Sequence, residues 1–312
     1  MTSRIVRHFG LSVVRLGALG GVVGFGLAAL LGAGVSPRRA APDPAADSLE
    51  ALLARFTGFS GKLRAIAFPA RSAPPVTLGD LVPALGAPGP GVHPTGLATP
   101  AGDSLVLLSL IPFQAKTGPR WRNYRLGYWP RERARGAGAD SVLPAGFIEV
   151  TPENQYTRVS ANFTLADFLT HDQRDVWPKV LVLRLPLLDK LELIAQALAE
   201  KGKPSRLHVM SGFRTPQYNQ LGVGPRGGRA RDSRHMYGDA ADIFVDADRD
   251  GRMDDLTGDG RVTLADAQYL LGVAEEVEAR YPALIGGLSA YRATAMHGPF
   301  VHVDVRGRRA RW

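Results

Sequence analysis

The chain has 312 residues, 45% hydrophobic and 21% charged, which fits one large or two modest folded domains and excludes wholesale disorder. The 38 basic against 29 acidic residues leave a formal charge of +9, a balance suited to an anionic partner such as nucleic acid, acidic lipid or an anionic wall polymer. Cysteine is absent, which excludes a thiol nucleophile, a thiolate zinc finger and a disulfide framework, so any transition-metal site must draw on His, Asp or Glu.

At the N-terminus Arg4, Arg7 and Arg15 precede the uncharged run LGALGGVVGFGLAALLGAGV, which is about long enough to cross a bilayer. Basic residues followed by an apolar run predict a signal peptide or membrane anchor over residues 1–36, and with it export to the periplasm or cell envelope. No clean cleavage pattern stands before SPRRAAP, so cleavage and retention in the inner membrane both stay open. Residues 37–74 read as a Pro/Ala-rich linker with a short helical pattern, LEALLARF. Residues 75–147 begin rich in Pro and Gly, and that stretch, up to about residue 102, reads as loop. Then SLVLLSLIPF, RNYRLGYWP and GFIEV predict strands, giving a small, mostly β accessory region.

From residue 148 the texture changes. LPLLDKLELIAQALAEKG (185–202) has apolar residues at helical spacing and stops at Gly202 and Pro204. RLHVM and ADIFV predict strands. A second helix should start at Leu264 behind Thr263 and Asp266, which can form a capping arrangement. PFVHVDV (299–305) predicts a closing strand in which Phe300, His302 and Asp304 share one face while Val301, Val303 and Val305 share the other.

Three of these segments carry chemistry together. His235 and Asp242 lie in SRHMYGDAAD, where Gly238, Ala240 and Ala241 let a loop enter a buried strand. A carboxylate on that apolar strand is costly unless paired or metal-bound. With His302 the set is two imidazoles and a carboxylate, which leaves a fourth position for an exchangeable water, as catalytic zinc requires.

The order SGFRTPQYN (211–219), S-x-H-x-x-G-x-A-x-D (233–242) and F-V-H-x-D (300–304) resembles the zinc D-alanyl-D-alanine carboxypeptidase and dipeptidase family. Relatives of that family include wall-cleaving endopeptidases and the hedgehog signalling domain. The resemblance covers roughly residues 148–312. It implies an α+β fold with a small antiparallel sheet flanked by helices, and a zinc metallopeptidase of D,D-carboxypeptidase or endopeptidase type acting on peptidoglycan stem or crosslink peptides. His235, Asp242 and His302 become the zinc ligands. Arg214 becomes the cation that polarises the scissile carbonyl and stabilises the oxyanion, and Ser233 binds substrate or supports its loop. Many relatives place a glutamate general base a few residues before the last histidine. Here ATAMHGPFV has no carboxylate, which leaves Asp304 and His297 as the candidates for proton transfer, with an orienting role also open to Asp304.

The acidic run after Asp242 suggests a second, structural metal. DLTGDGRVTLAD (255–266) fits a calcium loop with Asp255, Thr257, Asp259, Thr263 and the Arg261 carbonyl as donors, Gly260 at position six and Asp266 at position twelve. The preceding run begins a similar pattern with Asp246, Asp248, Asp250 and Gly251, so the insertion spans 246–266. The missing glutamate motivates an alternative, a wall-binding module that holds zinc without cleaving. The net charge and the RGRRARW tail raise nucleic acid as a partner. An export signal and the lack of a recognition motif argue against it, and favour tail contacts with an anionic membrane or wall polymer.

Overall fold

A computed structural model of the chain describes residues 51, 53–71, 88–99, 102–133, 142–225 and 227–312. The expected signal or anchor and the first part of the linker, residues 37–50, lie outside the described residues. Of LEALLARF, Ala54–Phe56 forms a 3-10 turn. No described helix is long and apolar enough to cross a membrane.

Two five-stranded sheets organise an α+β fold. In the first, β3 (Ser104–Pro112) pairs in parallel with β1 (Ile66–Pro69) and antiparallel with β2 (Gly91–Ala98). Its far end pairs with β6 (Gly146–Val150), which pairs in turn with β7 (Lys179–Leu181). This sheet therefore takes strands from both sides of residue 148. β2 falls inside the stretch that reads as loop from its Pro and Gly content. It pairs with β3 alone, and such an edge position tolerates Pro94.

RNYRLGYWP (122–130), predicted as a strand, instead gives only β5 (Tyr124–Arg125), which forms a two-stranded ribbon with the preceding β4 (Arg120–Trp121), and then leads into α1 (Pro130–Arg133). Gly127 stops the strand. It has a φ of 80°, and a Cβ there would come within 2.7 Å of the Gln217 backbone nitrogen.

The second sheet runs β12–β10–β11–β9–β8, with β8 (Leu207–Ser211), β9 (Ala240–Val245), β10 (Gly287–Tyr291), β11 (Phe300–Asp304) and β12 (Ala310–Arg311). All its pairs are antiparallel except β10–β12. Register puts Val301 opposite Ile243 and Val303 opposite Ala241, and all four are fully buried. Each large aliphatic side chain buried this way contributes about 1.5–3 kcal/mol.

After α1 come α2 (Leu185–Glu200), which starts with Pro186 in its first turn, the short α3 (Pro216–Gln220) and α4 (Leu264–Arg280); α2 packs on α4, which packs on β10 and β11. α4 has the expected capping box: Thr263 N donates to Asp266 Oδ2 at 2.7 Å, and Ala265 N donates to Thr263 Oγ1 at 3.1 Å.

Candidate metal centre

One face of the second sheet carries a polar row where apolar residues would be expected. Register aligns Ser211 of β8 with Asp242 of β9, Asp242 with His302 of β11, and His302 with Ser289 of β10. Directly opposed residues share a face and lie close together, so the pairing of β9 with β11 itself sets Asp242 beside His302. His235 arrives from a 3-10 turn (Arg234–Tyr237) that ends at Gly238, whose φ is 67°. A Cβ at Gly238 would meet the Val182 carbonyl oxygen at 2.2 Å, so this turn fits its neighbours only with glycine.

His235 Nε2, His302 Nδ1 and Asp242 Oδ1 converge. The two nitrogens are 3.3 Å apart, and Asp242 Oδ1 lies 3.3 Å from His235 and 3.0 Å from His302. Donors at ordinary zinc bond lengths of about 2.0–2.1 Å, placed at tetrahedral corners, stand about 3.3–3.4 Å from one another. The spacing and the N/N/O donor set therefore fit zinc. All three residues are buried, at 2%, 5% and 7% exposure for His235, Asp242 and His302.

The outward atoms of both rings are anchored. His235 Nδ1 lies 2.7 Å from the Gly212 carbonyl, and His302 Nε2 lies 3.2 Å from Asp304 Oδ2. Such partners fix which nitrogen faces the metal and how the ring is turned. Burial drives the His235 imidazole below its ordinary pKa, towards the neutral form that binds metal. Burial also pushes His302 down, but hydrogen bonds to Asp242 and Asp304 outweigh it and raise the pKa. The Asp242 carboxyl is pushed up by burial and held well below the usual range by His235, His302 and Arg214.

Arg214 lies beside the triad. Its guanidinium forms an ion pair with Asp242 through Nη2, and Nε donates to Ser211 Oγ at 2.8 Å. Asp304 lies behind His302, fully buried, and is clasped by Arg306. Its Oδ1 accepts from Gly287 N at 2.8 Å. Burial raises its pKa, but His302 and Arg306 prevail and hold it far below the ordinary value. Asp304 thus has the surroundings of an orienting carboxylate.

His297 lies in the loop before β11. Its Nδ1 is 2.8 Å from the Gly298 carbonyl, and its ring meets Phe300 edge-on at 4.9 Å. An aromatic strip leads from there to the metal site: Phe300 stacks on Tyr291 at 4.6 Å, Tyr291 Oη accepts from Trp312 Nε1 at 2.5 Å, and Trp312 stands 5.3 Å from His302. Ser233 is buried and precedes the turn bearing His235, its carbonyl accepting from Met236 N at 3.0 Å.

Several supporting residues carry no sequence signal, because their roles depend on contacts between distant segments. Trp129, fully buried, donates through Nε1 to the Met236 carbonyl at 2.8 Å and so braces the His235 turn from residues upstream of 148. Lys190 of α2 is also fully buried. It donates to Glu278 Oε1 at 2.6 Å and to the Asp304 carbonyl at 2.8 Å, tying both long helices to the end of β11. Removing one partner from a buried pair of this kind costs about 3–5 kcal/mol. The arginines of RGRRARW are largely used inside the fold: Arg311 pairs with Glu275 and Glu278, Arg309 with Glu275, and Arg306 with Asp304.

The two acidic runs differ. One carboxylate oxygen from each of Asp246, Asp248 and Asp250 lies within 4.8 Å of the others. The Asp255–Asp266 run is closed on itself instead. Asp255 accepts from Gly258 N and Gly260 N, both at 2.7 Å, and from Thr257 Oγ1 at 3.1 Å. Asp266 is turned inward, accepting from Leu256 N at 2.9 Å and Thr257 N at 3.0 Å and capping α4. Asp259 accepts from Arg261 N at 2.9 Å.

No curated protein and no solved structure matches the chain. A family model described as peptidoglycan L,D-endopeptidase MepK, within the M15 peptidases, matches residues 149–255. That segment contains Arg214, His235 and Asp242, while His302 reaches the same site from beyond it. The match makes residues 149–255 similar to the M15 peptidoglycan peptidases, and the triad geometry is consistent with that likeness.

Proposed function

We propose that the chain is an exported zinc-dependent endopeptidase that hydrolyses peptidoglycan stem or crosslink peptides containing D-residues. The mutual spacing of His235 Nε2, His302 Nδ1 and Asp242 Oδ1 carries this reading, because three fixed N/O donors leave a fourth position for water. Bound there, zinc supplies a Lewis acid and lowers the pKa of a water towards neutrality. The description of the matching family model as an L,D-endopeptidase supports internal cleavage over removal of a terminal residue. The basic and then apolar N-terminus supports export, to the compartment where peptidoglycan lies.

The chain's own residues divide the remaining work. Arg214 offers a fixed guanidinium to the carbonyl oxygen under attack, held in position by Ser211 and Asp242. Asp304 keeps His302 oriented with Nδ1 towards the metal. His297 remains as the proton acceptor, since Asp304 is enclosed by Arg306, Gly287 and His302. Trp312 and Tyr291 form an apolar wall along which a stem peptide can lie.

The enclosure of Asp304 also favours a second reading, in which the domain holds zinc and wall peptide without cleaving. Digestion of purified muropeptides by the zinc-loaded protein, followed by mass spectrometry, separates the two. New products that vanish in His302→Ala, with zinc lost on metal analysis, support the peptidase. Intact muropeptides that stay bound to the wild-type protein support the binding module.

A further inference from the structure

The loop that follows β9 contains a second candidate cation site, and its chemistry differs from that of the histidine-bearing one. The loop leaves the strand at Val245 and is closed at its neck: Asp254 N donates to the Val245 carbonyl and Ala247 N donates to Asp254 Oδ2, each at 2.9 Å. Within it Asp246, Asp248 and Asp250 bring carboxylate oxygens within 4.8 Å of one another. Repulsion between two unit charges at about 4 Å is roughly 1 kcal/mol even in water and larger near protein.

An acidic cluster of this kind is common on protein surfaces without an ion. The burial of Asp246 sets this one apart. Asp246 is 2% exposed, and its two oxygens have different surroundings. Oδ2 faces Arg206 Nη1 at 3.4 Å and His208 Nδ1 at 3.5 Å. Oδ1 is buried and accepts no hydrogen bond. A carboxylate oxygen withdrawn from water with no donor is costly, and a cation held by the three carboxylates offsets that cost.

The backbone is already wrapped around this point. Asp248 accepts from Asp250 N at 3.1 Å, and Asp250 accepts from Arg252 N at 2.8 Å. Gly251, sixth counting from Asp246, has a φ of 79°. In the Asp255–Asp266 run, by contrast, no carboxylate oxygen is buried without a hydrogen-bond donor.

We propose that Asp246, Asp248 and Asp250 bind calcium, and that the bound ion braces the exit of β9, the strand that carries Asp242. The grouped donors are all carboxylate oxygens on a pliant loop, which suits a hard cation with irregular coordination over zinc or magnesium.

Calorimetric titration of the full-length, zinc-loaded protein with calcium chloride tests this, with magnesium as control and zinc measured in every sample. The expected result is one calcium per chain at millimolar concentration or below and a rise of several degrees in thermal midpoint. Asp248→Asn and Asp250→Asn, made separately, should each weaken binding at least tenfold at unchanged zinc content. Asp255→Asn with Asp259→Asn should bind as the wild type does. Absence of calcium binding in the wild type, undiminished binding in both loop variants, or a loss confined to the Asp255/Asp259 variant overturns the proposal.

Discussion

The histidine-bearing site and the acidic loop stand four residues apart, Asp242 within β9 and Asp246 just past its end, yet they are built in opposite ways. The first gathers its donors from three separate segments. Each is buried, and each is held from behind by another group, such as the Gly212 carbonyl, Asp304 or Arg214. The second gathers three carboxylates within five residues, and its exposed members, Asp248 and Asp250, accept backbone N–H groups of their own loop. Strand register fixes donor spacing before an ion arrives, which suits a small ion with strict tetrahedral demands. A local loop sets spacing loosely, which suits a larger ion that accepts irregular shells.

The contrast can be broken most sharply at Arg214. Arg214→Ala should cut hydrolysis by about 10²–10³-fold, the usual effect of losing one oxyanion donor, with zinc stoichiometry retained. Wild-type turnover in that variant would remove Arg214 from the reaction. A smaller loss is expected from Asp304→Asn. Losing the partner behind a ligand histidine typically costs about 10–100-fold in metal affinity, read here by competition with a zinc chelator. Unchanged affinity would mean that strand register alone orients His302.

The smallest effect concerns pH. His302 has a raised pKa in the metal-free fold, and its Nδ1 must be free to bind zinc. Zinc affinity is therefore full above that raised pKa and falls by about tenfold per pH unit below it. Asp304→Asn removes one of the hydrogen bonds that raise the pKa, so the decline should start at lower pH. An affinity that stays flat from about pH 8 to about pH 5 would contradict the protonation state assigned to His302.

Much of the site was legible from local pattern. The alternation in PFVHVDV put His302 and Asp304 on one face, and the structure keeps them 3.2 Å apart. Helix α4 begins at Leu264 behind its Thr263–Asp266 cap, because capping is a matter of a few consecutive residues. Local pattern does not separate the two acidic runs. The Asp255–Asp266 run matches the calcium template better in sequence, while in the structure Asp266 caps α4 and Asp255 accepts N–H groups of its own loop. β2 was missed because Pro and Gly weigh against strand by composition, while an edge position against β3 permits them.

The sequence by itself determined the donor types, their order along the chain and the amphipathic alternation of the strands that carry them. It could do so because side-chain chemistry and the two-residue period of a strand are properties of neighbouring residues. Only the tertiary structure decided that Asp242 lies opposite His302, that Asp304 stands behind the ring, and that Trp129 and Lys190 brace the site from distant segments. It also decided which acidic run keeps a buried carboxylate oxygen without a partner. These outcomes depend on strand register and on burial, and both are set by how remote parts of the chain pack against one another.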